Sequence, residues 1–163
     1  MEIERKFLLK EMPGDLSKYE KKVIEQGYLC KKPTVRIRKS NEEYILTYKS
    51  KQGISDDANR TAKVLNEIEV PLGKEGYEHL KKKVDHNIIV KIRYIVPLEN
   101  GLKAELDIFE GKLSGLKVVE VEFPDEETAN AFVPPAWFGK DVSLDSRYTN
   151  GSLAAVEKID WEL

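Results

Sequence analysis

The chain has 163 residues, of which 27 are Lys or Arg and 29 are Asp or Glu, for a formal net charge of −2. This length suits one domain, and the near-neutral charge argues against a nucleic-acid binder, which normally carries a basic excess. A single cysteine, Cys30, excludes an internal disulfide, and no apolar run approaches the ~20 residues of a membrane span. We therefore expect one cytoplasmic domain over residues 1–163, with neither a nucleic-acid polymer nor a membrane as partner.

Seven segments, taken in chain order, have the alternation of β-strands and are separated by turn-forming residues. They are residues 1–9, 34–40, 43–50, 66–72, 90–98, 102–110 and 117–123. The turns at 41–42, at 99–101 and at Gly115 are short, so the strands that they join are expected to be antiparallel.

Helical patterns are fewer and cover residues 74–85, 125–133 and 152–159. Asp125 is a suitable N-cap for the second of these helices. Residues 51–63 are rich in turn formers and poor in apolar side chains, which predicts a mobile loop over the sheet or at its mouth. The fold class expected from these elements is α+β, dominated by antiparallel sheet.

Most of the predicted strands carry two like charges at positions i and i+2 around an apolar residue. The pairs are Glu2/Glu4, Arg36/Arg38, Glu67/Glu69, Lys91/Arg93, Glu105/Asp107 and Glu120/Glu122, and the strand 43–50 adds Lys49. Alternate residues of a strand face opposite sides, so each strand has an apolar face and a charged face. An antiparallel sheet with one wet face would show the same alternation, and the pattern alone favours that ordinary interpretation.

Electrostatics favours a second interpretation, because like charges held side by side on a strand repel each other unless something neutralises them. In a barrel with the charged face inward, the carboxylates would bind hard cations such as Mg²⁺ or Mn²⁺. The Arg and Lys clusters would bind phosphate groups. This pattern is typical of a metal-dependent phosphoryl site.

With these motifs in place, the chain resembles the triphosphate tunnel metalloenzymes, also called the CYTH superfamily. The hallmark Glu-x-Glu-x-Lys is present as residues 2–6, and further motifs follow in order: RIR at 36–38, TYKS at 47–50, EIE at 67–69, KIRY at 91–94, ELD at 105–107 and EVE at 120–122. Segments 26–30, 134–139 and 145–154 are similar to those of the short bacterial members that act as inorganic triphosphatases. The resemblance implies a closed eight-stranded antiparallel barrel, a tunnel with a charged interior, and an eighth strand near residues 23–29.

The resemblance also implies roles for individual residues. Cation ligands would be Glu2, Glu4 and Glu122, with Glu120 and Asp107 in support, and the triphosphate would be held by Arg36, Arg38, Lys49, Lys91 and Arg93. Lys6 and Tyr28 would form a catalytic pair in which the ammonium lowers the pKa of the phenol, although Tyr28 is equally suited to aromatic packing. Glu67, Glu69 and Glu105 would bind a second cation, position water or balance nearby bases.

The sequence alone does not decide the roles of several other residues. Arg147 would reach phosphate or pair with Asp145, while His79 and His86 are expected on the surface. Members of the family have a basic residue before the acids of the strand at 66–72, whereas this chain has Lys63 followed by Val64 and Leu65.

The predicted reaction is hydrolysis of tripolyphosphate to pyrophosphate and phosphate, with Mg²⁺ or Mn²⁺ as cofactor and a small-molecule triphosphate as substrate. The alternatives are an adenylate cyclase of the same superfamily, a thiamine or nucleoside triphosphatase, and a polyphosphate-binding or nucleotide-binding module without turnover. The oligomeric state, a homodimer included, is left open.

Overall fold

The computed structural model describes residues 1–163, which form nine β-strands and three α-helices. The strands are β1 (Glu2–Leu9), β2 (Glu20–Cys30), β3 (Thr34–Ser40), β4 (Glu43–Ser50), β5 (Lys63–Pro71), β6 (Asp85–Pro97), β7 (Lys103–Phe109), β8 (Lys117–Glu122) and β9 (Phe138–Asp141). The helices are α1 (Lys74–Lys81), α2 (Glu126–Ala131) and α3 (Asn150–Leu153). None of these helices is long and apolar enough to cross a membrane.

The first eight strands close into an antiparallel barrel. Their order is β5-β4-β3-β2-β6-β7-β8-β1, and a further pairing of β1 with β5 joins the two edges. In that closing pair Glu2 lies opposite Leu65 and Glu4 lies opposite Lys63. The predicted eight-stranded antiparallel barrel is therefore confirmed, with the stretch at 23–29 inside the longer strand β2.

Some predicted boundaries differ from those in the structure. Strand β9, which pairs with β1 outside the barrel, was not predicted, because its four residues show no clear alternation. The helix expected at 152–159 was wrong in extent, since α3 covers only Asn150–Leu153. Helix α1 ends at Lys81 because β6 already begins at Asp85, and both His79 and His86 are exposed, as expected.

Arg5 binds to the helix and strand that pack outside the barrel, α2 and β9, which we call the outer layer. Its side chain points away from the interior, and its guanidinium donates to the main-chain carbonyls of Ala129 and Phe132 at 3.0 and 3.1 Å. The same group pairs with Asp141 of β9 at 2.9 Å. Helix α2 and strand β9 are thus held against β1 by one side chain, next to the aromatic core around Phe7.

The loop between β4 and β5 is tied to α2. Arg60 donates to both carboxylate oxygens of Glu126, at 3.0 and 3.2 Å, and to the carbonyl of Ser55 at 2.9 Å. The Thr61 hydroxyl bonds to Asn130, and Ala62 is buried in the outer core. The sequence predicted a mobile loop here, whereas the structure fixes its second half to the outer layer.

Candidate active site

The charged side chains face the barrel interior. Lys49 of β4 pairs with Glu2 of β1 at 2.8 Å, although β5 separates these two strands in the sheet. Arg93 of β6 likewise reaches Glu120 of β8 at 3.9 Å across β7. Contacts between non-neighbouring strands of a closed barrel are made through its interior.

Interior side chains change in character from one end of the barrel to the other. On β1 they run Glu2, Glu4, Lys6 and Leu8, and on the neighbouring strand β8 they run Glu122, Glu120 and Val118, so that acids lie at one end and apolar groups at the other. We call the three levels the acidic layer, the basic layer and the apolar floor. The acidic layer contains Glu2, Glu4, Glu67, Glu105 and Glu122; the basic layer contains Lys6, Arg36, Arg38, Lys49, Lys91 and Arg93; the floor contains Leu8, Tyr28, Ile89, Phe109 and Val118.

Two carboxylates of the acidic layer lack a cationic partner. Glu4 and Glu122 lie directly opposite each other on β1 and β8, and neither forms an ion pair. Burial raises the pKa of Glu4 to about 7, and the carboxylates of Glu120 and Glu2 add to the effect. Partial burial together with Glu2 and Glu67 also raises the pKa of Glu122. The raised pKa values indicate that the protein itself does not stabilise the ionised form of either carboxylate, which a bound cation would do.

The other acids of this layer are engaged by bases. Glu2 accepts from Lys49 at 2.8 Å, and Glu67 pairs with the same ammonium at 3.3 Å. Glu105 pairs with Arg93 at 2.9 Å, whereas Glu69 is exposed on β5 and unpaired. No three His, Cys, Asp or Glu side chains lie close enough together to hold a metal ion in this arrangement of side chains.

Asp107 is a buried counter-ion of the basic layer. Arg93 donates to both of its oxygens, at 2.7 and 2.9 Å, and the Lys91 ammonium lies 2.7 Å from one of them. Burial acts to raise the pKa of Asp107, but the Arg93 and Lys91 charges outweigh it and hold the pKa below its ordinary value. Since protein cations occupy both oxygens, Asp107 is suited to fixing Lys91 and Arg93 rather than to binding metal.

Arg36 and Arg38 have no acidic partner. Arg36 is buried and donates to Thr47 Oγ1 at 3.1 Å, while its Nε has no hydrogen-bond partner at all. Arg38 donates to Gln26 Oε1 at 2.8 Å, and burial, together with Arg36 and Arg93, lowers its pKa to about 9. Guanidinium groups held in this way, without carboxylates, form a site for an anion.

Lys6 and Tyr28 both reach the interior, but no hydrogen bond joins them. Lys6 Nζ donates to the Tyr148 carbonyl at 2.8 Å and pairs with Glu120 at 3.2 Å. Burial acts to lower the pKa of Lys6, yet Glu120 and Glu4 raise it above the ordinary value, so the ammonium stays charged. The Tyr28 hydroxyl accepts from Gln26 Nε2 at 3.4 Å, and its ring packs in the apolar floor, so that both roles left open for Tyr28 are compatible with its position.

The C-terminal segment closes the barrel below the basic layer. Val142, Tyr148, Leu153 and Ala154 pack against the apolar floor in one buried cluster. At the opposite end, a cavity of about 420 Å³ opens beside Glu105 and Glu122. The interior is accordingly a cup that opens at the acidic layer.

The structure also contains interior residues for which the sequence predicted no role. Gln26 and Thr47 are fully buried and hold the two unpaired arginines, and Lys63 lies opposite Glu4. The period-2 alternation of their strands gives the only signal for them. Arg147, in contrast, is exposed and bonds to Asp145 at 2.7 Å, which is the second of its two predicted roles.

Comparisons with known proteins agree with this geometry, although a scan against protein-family models finds no match. The chain is 40% identical to an inorganic triphosphatase of Nitrosomonas europaea, over 94% of this chain and 96% of that protein. It is 36% identical to an inorganic triphosphatase of Acetivibrio thermocellus, over 93% and 92% of the two chains. A crystal structure of an inorganic triphosphatase superposes with a TM-score of 0.69 at 36% identity, over 97% of both chains.

A closed antiparallel barrel with acids and bases inside is the tunnel fold, which the inorganic triphosphatase structure shares. Together with these relatives, it places the chain in one family. The protein belongs to the triphosphate tunnel metalloenzymes of the CYTH superfamily.

Proposed function

We propose that the protein hydrolyses inorganic triphosphate to pyrophosphate and phosphate inside the barrel. The observation that carries this proposal is a double imbalance of charge. Arg36 and Arg38 lack anions in the basic layer, while Glu4 and Glu122 lack cations in the acidic layer directly above. A polyanion accompanied by a divalent cation corrects both imbalances at once.

Mg²⁺ or Mn²⁺ is the proposed cofactor, and the chemistry of the acidic layer fits it. Glu4 and Glu122 would hold the ion, because hard divalent cations prefer carboxylate oxygens and this pair has no counter-ion of its own. Glu2 would join them only by turning away from Lys49, since no three carboxylates are grouped in the present arrangement. When bound, the ion would neutralise charge on the phosphoryl oxygens. Glu67 and Glu105 are better explained as partners of Lys49 and Arg93.

The residues of the chain itself would position the substrate. Arg36 and Arg38 bind phosphoryl oxygens with preformed guanidinium groups, and Lys91 and Arg93 are fixed for the same task by Asp107. Such groups stabilise the charge that develops as water attacks a terminal phosphorus atom and pyrophosphate departs. Lys6 supplies a further fixed positive charge at the bottom of this layer.

Tyr28 would orient the attacking water. Its hydroxyl lies at the border of the apolar floor and the basic layer and already accepts from Gln26. The same ring also seals the floor, which keeps bulk water away from the reaction on that side. The reaction, a small-molecule hydrolysis, is compatible with the cytoplasm, where a free cysteine such as Cys30 stays reduced.

The direct test compares phosphate release from tripolyphosphate, ATP and thiamine triphosphate with Mg²⁺ or Mn²⁺, and follows cyclic AMP in parallel. We expect fast turnover of tripolyphosphate and slow turnover of the two organic triphosphates. Cyclic AMP formed from ATP would instead establish the cyclase, and tripolyphosphate binding without turnover would establish a binding module.

Two variants with matched controls test the assignment of residues. Glu4→Gln should lower turnover by about 100-fold, and Arg38→Gln should weaken substrate binding about 10-fold or more. Glu42→Gln in an exposed turn and Lys39→Gln on the outer face of β3 remove the same charges outside the barrel. If a control variant lost as much activity as its interior counterpart, the interior site would be the wrong one.

A further inference from the structure

Lys63 is a base of the barrel interior that none of the assignments above includes. It is the first residue of β5 and lies directly opposite Glu4 of β1 in the antiparallel register. Opposite residues of an antiparallel pair place their side chains on the same face of the sheet. Lys63 therefore points into the barrel together with Glu4, although it follows immediately after a surface loop.

The Lys63 ammonium has no partner within the protein. It forms neither an ion pair nor a hydrogen bond, in contrast to Lys6, which pairs with Glu120, and to Lys49, which pairs with Glu2. The Lys63 side chain is half-buried, and Lys6 on the neighbouring strand β1 points to the same side of the sheet. A half-buried cation beside other cations, without a carboxylate of its own, is stabilised by an anion that arrives from outside.

Lys63 also fills a gap in the basic layer. Strands β3, β4, β5 and β1 are consecutive neighbours in the barrel, and three of them supply Arg36, Lys49 and Lys6. The later residues on this face of β5, which include Leu65 and Glu67, offer no positive charge. Lys63 is thus the one base that β5 contributes between Lys49 and Lys6.

A purely structural role as counter-ion of Glu4 does not account for this position. The two residues face each other across the β1–β5 pairing, yet they form no ion pair. Glu4 is moreover a proposed cation ligand, and a divalent ion there would offset the negative charge that Glu4 presents to Lys63. We propose that Lys63 binds a phosphoryl oxygen of the triphosphate and completes the basic layer, an inference that rests on the proposed function.

The test measures binding of tripolyphosphate by isothermal titration calorimetry, without divalent cations so that no turnover occurs, together with kcat and KM in Mg²⁺. Lys63→Gln should raise both Kd and KM about 10-fold or more, because a charge-assisted hydrogen bond to the ligand is lost. Lys63→Arg should retain most of the affinity, since it keeps a cation at the same place. The matched control is Lys83→Gln, an exposed lysine outside the barrel, which should bind like the wild type.

Thermal unfolding separates binding from a structural role. A lysine without a partner should be replaceable by Gln or Met with no decrease in Tm, whereas a structural counter-ion of Glu4 would lower it. If the wild type binds tripolyphosphate and Lys63→Gln or Lys63→Met has the same Kd and KM, the role of Lys63 is wrong while the proposed function stands. A wild type that fails to bind tripolyphosphate would overturn the proposed function with it.

Discussion

The Nζ of Lys6 donates a buried hydrogen bond of 2.8 Å to the main-chain carbonyl of Tyr148. Main-chain bonds join the same lysine to this part of the chain: its N–H donates to Ser143 Oγ at 2.9 Å, and its carbonyl accepts from the Val142 N–H at 2.8 Å and from Ser143 Oγ at 3.3 Å. Tyr148 is held in turn by Trp161, whose indole N–H donates to the tyrosine hydroxyl at 2.9 Å. The C-terminal segment therefore determines where the Lys6 ammonium lies.

Replacing Trp161 should loosen this support. Trp161→Ala removes the hydrogen bond to Tyr148 and an edge-to-face ring contact, and we expect a loss of about 1–3 kcal/mol in the free energy of unfolding. Turnover of tripolyphosphate should fall as well, because Lys6 loses its fixed position. The stability and turnover of Trp161→Phe should lie between those of the wild type and of Trp161→Ala. Urea unfolding and steady-state kinetics measure these effects.

Trp137 provides the control for that experiment. It packs edge-to-face on Phe138 outside the barrel, so Trp137→Ala should lower stability without lowering kcat at a temperature where the variant is folded. A Trp161→Ala enzyme with the kcat of the wild type under the same conditions would contradict the positioning of Lys6 by the C-terminal segment.

Removing Asp107 should expose the repulsion within the basic layer. In Asp107→Asn, Lys91 and Arg93 stay buried without their shared counter-ion, and we expect a destabilisation of about 3–5 kcal/mol. Tripolyphosphate should restore stability more strongly in this variant than in the wild type, because the ligand supplies the missing negative charge. Thermal unfolding with and without tripolyphosphate measures both effects.

Asp160→Asn, at an exposed position near the C-terminus, is the matched control and should unfold like the wild type. Equal stabilities of Asp107→Asn and Asp160→Asn would mean that Asp107 is not needed as a counter-ion, and would favour its predicted role in support of the cation ligands instead.

The sequence predicts the strands well because period-2 alternation is a local property. Residues 34–40 and 43–50 coincide with β3 and β4, and the charged side of Glu2 and Glu4 faces the interior. Closure of the sheet is not local, since the pairing of β1 with β5 joins residues about sixty positions apart. The prediction of a closed barrel therefore came from the family resemblance and not from the alternation pattern.

Other features of the site depend on contacts that no pattern encodes. Leu8 and Phe109 have the same alternation as any core residue, so the apolar floor was not predicted. The sequence also shows no sign of which bases lack acids, because the pairing of Arg93 with Asp107 and the isolation of Arg36 follow from the register of neighbouring strands. Arg5 had no predicted role, since its partners lie more than a hundred residues away.

Arg5 and Lys6 are neighbours in sequence on opposite faces of β1, and their variants should separate stability from activity. Arg5→Leu leaves the carbonyls of Ala129 and Phe132 without their donor, and we expect a loss of about 2–4 kcal/mol with kcat and KM retained. Lys6→Met should lower kcat by about 100-fold. Urea unfolding and tripolyphosphate kinetics on both variants measure the contrast. A large loss of kcat in folded Arg5→Leu would show that the outer layer also shapes the site.

Lys91 should make substrate binding depend on pH. Burial lowers its pKa to about 7, and Arg93 and Arg38 contribute in the same direction while Asp107 opposes them. We therefore expect the Lys91 ammonium, which pairs with Asp107, to lose its proton in the free protein as the pH rises above 7. A bound polyanion favours the ammonium and raises this pKa. Binding of tripolyphosphate should take up a proton at pH 8, and affinity should fall as the pH rises through the range above 7.

Calorimetric titrations at pH 8 in two buffers of different ionisation enthalpy, again without divalent cations, measure the number of protons taken up. Tripolyphosphate titrates in this range too, so the decisive quantity is the difference between the wild type and Lys91→Met. The wild type should take up more protons, since only it can protonate residue 91 on binding. Equal proton uptake by the two proteins would mean that Lys91 is already charged before the anion binds, with Asp107 overcoming the cost of burial.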